Sequence, residues 1–234
     1  MDTQSWELVD LWVADLFGLP VSMVWEPGVT VGMHAGLGDY PGIVVFGRGG
    51  GVHVSLPDWA SAKMVDELVE QPPHELLEPQ FWKDYKRTAD LKVLGPAVHA
   101  FSDTQLEEPA KVERIAPSDI ADWREVVSRK KWEASGFADH VEVAFAVRSG
   151  GELAAAANLT TFRGVPSDVG VLTHPKYRGK GFSSRVARAA AAYAVRNHGL
   201  ARYRSETDNI RSRSVSKALG FEDYFEQLAI RPRG

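Results

Sequence analysis

Apolar residues recur at helical spacing over residues 5–17, where Trp6, Val9, Val13 and Phe17 form a stripe with Leu8, Trp12 and Leu16 alongside. Gly18 follows as the stop. Residues 21–40 are irregular and glycine-rich, with one strand expected over 29–33. Two β-type runs, 43–46 and 52–56, flank Gly47-Arg48-Gly49-Gly50-Gly51 and predict a hairpin rather than a phosphate cradle, because no helix opens from those glycines. A helix is predicted from Pro57-Asp58 to Glu70, capped by Asp58, with Trp59, Ala62, Val65 and Val69 inward, and Pro72-Pro73 breaks it. Another helix over 76–86 and a strand over 98–101 complete a mixed α/β first half.

Residues 102–110, polar and with Pro109 near the end, read as a linker. The pattern then restarts with a strand over 112–115 and a helix over 117–130 capped by Ser118 or Asp119. A loop or short helix over 132–139 follows, then strands over 141–147 and 152–161 joined at Ser149-Gly150-Gly151. Period-two alternation marks a strand at 169–173, which Pro175 ends because it has no amide proton to donate. A helix opens directly out of Tyr177-Arg178-Gly179-Lys180-Gly181, with Phe182, Val186, Ala189, Ala190 and Tyr193 inward, and Gly199 is placed to close it in the left-handed region. A strand and helix over 202–221, ending Leu219-Gly220-Phe221, precede a last strand over 224–231. Two domains are expected, 1–104 and 110–234.

Composition changes this picture in three ways. The 234 residues contain no cysteine, which excludes disulfides, thiolate metal sites and a cysteine nucleophile and fits a cytoplasmic protein. The first residues lack a basic leader and no apolar run reaches the roughly 18 residues of a membrane span, so no membrane partner is expected. His34, His53, His74 and His99 lack metal-ligand spacing, so no metal is expected and each reads as a surface or satisfied core residue. The net charge of −4 divides unevenly: residues 171–234 hold 13 Lys/Arg against 5 Asp/Glu, the rest 14 against 26. A polyphosphate ligand would be drawn to the basic segment, although Arg185, Arg188 and Arg196 also suit a solvated helix face.

The glycine loop is where that charge acquires chemistry. The first amides of a helix have no intrahelical partner and sit at the positive end of its dipole. Glycines there let the backbone approach a bulky anion, and a pyrophosphate suits such a turn. Arg178 and Lys180 add charge, and Ser183 and Ser184 add hydroxyls. A phosphate-loop nucleotide hydrolase is excluded, since Gly-Lys-Gly-Phe stands where that class needs Gly-Lys-Ser/Thr. Nucleic-acid binding is not expected, because aromatics are scarce among the basic residues.

The order strand, Arg178-x-x-Gly181-x-Ser183, helix, strand, Asn209-x-x-Ser212, helix, Leu-Gly-Phe resembles the GCN5-related N-acetyltransferase (GNAT) superfamily over roughly residues 111–231. The resemblance implies an α/β (α+β) acyl-CoA N-acyltransferase fold with a mixed central sheet, preceded by a smaller α/β N-terminal domain. By analogy alone, that first half is a degenerate GNAT-like repeat. Acetyl-CoA is the implied co-substrate. Its pyrophosphate would lie on Arg178, Gly179, Lys180, Gly181, Phe182, Ser183 and Ser184. Val171, Leu172 and Thr173 of the splayed central strand would supply oxyanion donors and pair with the pantetheine arm, and Asn209 and Ser212 would finish the grip.

Acetyl transfer needs a neutral amine, and a lysine-like amine has a pKa of about 10.4, so a base is required. Glu142, Asp168 and Glu206 stand at strand ends, and Glu206 is favoured. Where much of the family has a tyrosine acid, this chain has Ser216. The acid is then Ser216, water, Tyr203, Tyr224 or a tyrosine of the first half, or the thiolate leaves unassisted. The expected function is acetyl-CoA-dependent transfer to a primary amine of a small molecule or protein. The alternative is a non-catalytic CoA-binding regulatory or scaffold protein. The resemblance also allows a homodimer.

Overall fold

The computed structural model describes residues 1–85, 88 and 90–233. Its elements in chain order are α1 (Thr3–Phe17), β1 (Gly28–Met33), β2 (Ile43–Arg48), β3 (Gly51–Leu56), α2 (Ala62–Val69), α3 (Pro79–Asp84), β4 (Leu91–Ser102), β5 (Glu113–Ile115), α4 (Trp123–Val126), α5 (Arg129–Ala134), β6 (Val143–Ser149), β7 (Glu152–Phe162), β8 (Val165–Thr173), α6 (Phe182–His198), β9 (Ala201–Glu206), α7 (Ile210–Ala218) and β10 (Glu222–Pro232). The chain forms two compact units. The N-terminal unit comprises Asp2–His99, Ser205–Asn209 and Asp223–Gly234; the C-terminal unit comprises Met1, Ala100–Arg204 and Ile210–Glu222. The fold is the expected α/β type with mixed strand pairing.

In the N-terminal unit the strands run β1-β3-β2-β10-β4. The predicted hairpin is present: β2 and β3 are antiparallel across Gly49 and Gly50, whose φ angles of 59° and 95° are the left-handed values such a turn requires. Helix α1 starts two residues earlier than the pattern suggested, because Asp2 caps it by accepting from Ser5 N–H at 2.7 Å.

Helix α2 departs from expectation. Pro57 to Ala60 forms a turn instead, and Ser61 is the cap, accepting from Met64 N–H at 3.3 Å. Met64 and Leu68 therefore face the core, while Trp59 and Val69 are exposed. The helix expected over 76–86 is a 3₁₀ turn (Glu75–Leu77) followed by α3, split at Pro79, and its predicted end at Lys86 lies outside the described residues.

In the C-terminal unit the strands run β9-β8-β7-β6-β5. The helix expected over 117–130 is instead a 3₁₀ turn (Pro117–Ile120), α4 and α5. Asp119 does not cap forward; its carboxylate accepts from Ala116 N–H at 3.0 Å. Strand β7 reads Leu-Ala-Ala-Ala-Ala-Asn-Leu because it is covered on both faces. Ala155, Ala157 and Leu159 pack with Ala187, Ala190, Ala191 and Ala194 of α6, while Ala156 packs with Trp123 and Trp132 of α4 and α5. Alanine against alanine leaves no slack. Ala190→Leu is expected to cost about 1–3 kcal/mol through overpacking, measurable as a lowered urea midpoint.

The three arginines of α6 are not simply a solvated face. Arg185 donates to Ala110 O at 2.6 Å, Arg188 to Glu107 O at 3.0 Å, and Arg196 pairs with Glu108 at 2.6 Å. They tie the segment read as a linker along the helix.

Candidate functional site

Strand β8 carries the site because its two edges have different fates. Against β7 it is a regular antiparallel ladder, with Asn158↔Gly170, Ala156↔Leu172 and Ala155↔Thr173 in register. His174 N–H donates to Ala154 O at 3.1 Å, which fixes the parity of that ladder. Backbone groups alternate between the two edges of a strand. Gly170 and Leu172 therefore turn their N–H and C=O toward β7, while Val169, Val171 and Thr173 turn theirs toward β9.

Strand β9 does not follow along. It pairs with β8 in parallel at one rung, Asp168↔Arg202, and among the described residues no register continues beyond it. A seam thus opens past Asp168, and Val171 and Thr173 aim backbone donors at it. Leu172 does not: its amide is spent on β7 and its side chain is buried with α4 and α5.

From β8 the chain enters a 3₁₀ turn, Pro175–Tyr177, started by His174, whose ring accepts from Lys176 N–H at 3.3 Å. Tyr177 anchors the turn. Its ring is buried in the α6 core and its hydroxyl donates to Glu152, which Lys176 also meets at 2.6 Å. Those two partners hold the Glu152 carboxyl below its ordinary range, with the Lys176 bond the largest cause.

The loop itself is open. Gly179 and Gly181 both have φ of 76°, and a Cβ at either position would meet nothing within 4 Å. Their glycines serve backbone conformation, not space. Gly181 is the N-cap of α6 and no side chain caps that end. Arg178, Gly179, Lys180 and Gly181 are exposed, and Phe182, Ser183 and Ser184 are half-buried in the first turn. Lys180 Nζ stands 5.4 Å from the centre of the Tyr177 ring. The unit therefore offers uncapped amides beside basic side chains, with a widening strand seam at the other end of the same connection.

Helix α7 brings Ser212 to the Tyr203 phenol of β9, donating to Oη at 3.1 Å. Tyr203 is buried and stacks edge-on against Phe221 at 5.5 Å. Burial raises its pKa, only partly offset by the Ser212 bond, so it remains a protonated phenol at neutral pH. Ser216 is 3% exposed and its Oγ has no hydrogen-bond partner. Glu206 and Asn209 fall in the segment grouped with the N-terminal unit, where Asn209 N–H bonds Glu206 O at 3.0 Å.

The other candidate carboxylates and phenols are sorted by their surroundings. Glu142 is exposed. Asp168 is paired with Arg202 Nη1 at 3.3 Å and is largely buried, so it is already engaged in an ion pair. In the N-terminal unit, Tyr224 donates to Asp10 at 2.8 Å, and burial with that carboxylate pushes its pKa up.

A family model described as an acetyltransferase (GNAT) domain matches residues 89–222. The chain belongs to the GNAT acetyltransferase family. Among solved structures, this GNAT chain resembles a Drosophila protein at 14% identity and a TM-score of 0.51, covering 81% of this chain and 74% of that one. It also resembles a GCN5-related N-acetyltransferase-like protein from Streptococcus suis, at 14% identity and a TM-score of 0.48, covering 96% and 98%. An acetyltransferase of the GNAT family from Colwellia psychrerythraea is similar at 14% identity and a TM-score of 0.44, covering 61% and 57%. Among curated proteins, none matches the chain.

Sequence reading missed one feature of this GNAT domain. Arg202 is buried with its guanidinium 4.7 Å from the centre of the Phe162 ring. It is one basic residue among many in its segment, and its partner Asp168 lies 34 residues earlier. Among the described residues there is no group of three or more metal-capable side chains, and no helix long and apolar enough to cross a membrane.

Proposed function

We propose that the chain is an N-acetyltransferase that uses acetyl-CoA to acetylate a primary amine of a small molecule or protein. The observation that carries this reading is the combination, within one unit, of an uncapped glycine-loop helix and a strand seam that opens after a single rung. The first suits a diphosphate. The second suits an extended amide-bearing arm that adds to a strand edge. Acetyl-CoA carries both groups and supplies an activated acetyl thioester.

The chain's residues then divide the work. The amides and side chains of Arg178, Gly179, Lys180, Gly181, Phe182, Ser183 and Ser184 grip the diphosphate. Val171 N–H, with Thr173 beyond it, donates toward the arm and to oxygen charge developing at the thioester carbonyl; backbone donors need no reorganisation for this. Leu172 contributes by packing, which holds β8 flat against α4 and α5. Ser212 orients the Tyr203 hydroxyl, whose proton is the proposed source for the departing thiolate. Ser216, whose backbone carbonyl accepts from Leu219 and Phe221 N–H at the end of α7, remains the second candidate for that role. Glu206, at the end of its strand beside Asn209, is the candidate to take the amine's proton, and the resemblance gives Asn209 a share of the cofactor grip.

Thiol release from acetyl-CoA across a panel of primary amines tests the reading. At least one amine should raise the rate over buffer, with a product heavier by one acetyl group. Tyr203→Phe should lower kcat about a hundredfold or more, the usual range for losing a general acid, with acetyl-CoA affinity retained. Saturable acetyl-CoA binding with no turnover on any amine would favour the non-catalytic regulatory or scaffold reading. The absence of a tyrosine at Ser216 is what keeps that reading in play.

A further inference from the structure

We infer that the Asp168–Arg202 pair is the register pin of the β8–β9 seam, a pair of positioning residues that fix where the seam opens and so where Val171 presents its amide. The inference deepens the cofactor reading proposed above and rests on it.

The pair coincides with the one rung that joins the two strands. Partners in register on parallel strands project to the same face, so the ion pair lies directly over that rung. A single rung specifies register weakly. A slip of one residue would present a different set of backbone groups to the seam. The connection between the strands runs from His174 to Leu200, far too long to dictate register by itself. Side chains must do it, and apolar packing such as that of Val169 and the Tyr203 ring is non-directional, so it does not by itself single out one pairing.

The ion pair is less tolerant. The Asp168 and Arg202 side chains are 17% and 10% exposed, so a slip would separate two largely desolvated charges. The Phe162 ring on the guanidinium face limits Arg202 further. Asp168 bonds through Oδ2, while its Oδ1 is buried without a hydrogen-bond partner, so the Arg202 contact is the one hydrogen bond of this carboxylate among the described residues. A buried ionic pair that selects register is the best-attested use of such pairs.

Two ligands separate this role from simple stabilisation. Coenzyme A presents both the diphosphate and the pantetheine arm; adenosine 3′-phosphate 5′-diphosphate presents the diphosphate without the arm. Calorimetry of the full chain should show tighter binding of coenzyme A in the wild type. In Asp168→Asn the coenzyme A affinity should fall at least about tenfold toward that of the truncated ligand, whose affinity should stay within about twofold. Arg202→Lys keeps the charge but loses the planar fork, and should show a smaller loss of the same pattern. Asp168→Glu should recover part of the lost coenzyme A affinity. These variants keep the question answerable if Asp168→Asn fails to fold.

Unchanged coenzyme A affinity in folded variants would overturn the inference. Equal losses for both ligands would also overturn it, showing a general destabilisation. Failure of the wild type to bind either ligand would instead remove the cofactor reading on which the inference stands.

Discussion

Gly181→Glu is expected to weaken binding of acetyl-CoA by about a hundredfold or more. Two costs combine. Gly181 has φ of 76°, where any residue with a Cβ pays about 1–2 kcal/mol. A carboxylate placed at the N-cap of α6 would also occupy the positive end of the helix and repel a diphosphate. Nothing within 4 Å would clash with the new side chain, so the fold should survive with a stability loss near the conformational cost alone. Gly181→Ala isolates the strain and should lose about tenfold. Titration calorimetry on both variants separates the two terms, and equal losses would mean that charge plays no part.

Stability of the N-terminal unit should fall steeply as the pH drops from about 6.5 to about 4, because of His53. The ring is 1% exposed, lies 5.4 Å from Trp25 and 5.6 Å from Phe17, and accepts from Trp25 N–H through Nε2 at 3.2 Å. Its proton therefore sits on Nδ1, which has no partner. Burial lowers the pKa from 6.5 to about 4.

A neutral buried histidine binds fewer protons in the folded state than in the unfolded state across that window. Its contribution is then complete above pH 6.5 and is lost progressively as the pH falls toward 4. The full loss is about 3 kcal/mol from a shift of this size. Denaturant unfolding followed by tryptophan fluorescence at a series of pH values would show it. His53→Gln, which keeps an acceptor for Trp25, should flatten the slope between pH 4 and 6.5. An unchanged slope would assign the effect to other groups.

What could be read from sequence followed short-range physics. The loop, α6 and its end were legible because Gly181 and Gly199 sit where left-handed backbone is needed, and both adopt φ of 76°. The β2–β3 hairpin was legible for the same reason at Gly49 and Gly50. Misreadings arose where neighbours compete. Asp58 and Ser61 are both good caps, and the choice of Ser61 rotated the apolar face of α2 from Trp59 and Val69 to Met64 and Leu68. Trp59 spends its indole N–H on Pro41 O at 2.9 Å, a partner 18 residues away that no local pattern shows.

The site divides in the same way. The phosphate-type loop is contiguous, so the Arg178-to-Ser184 stretch could be named from residue types alone. The seam is not contiguous. Its single rung, the burial of Arg202 and the Ser212–Tyr203 bond all depend on which strand lies beside which, and α6 separates those partners in sequence. Ser216 could be located but not its burial, because position in a helix does not say which side the sheet takes.

Titration calorimetry of the purified chain with acetyl-CoA addresses the central claim most directly. The account predicts saturable heat at one site per chain, weakening as salt screens the loop and lost in Gly181→Glu. No heat at concentrations that saturate ordinary enzyme sites, or equal heat in that variant, would contradict it.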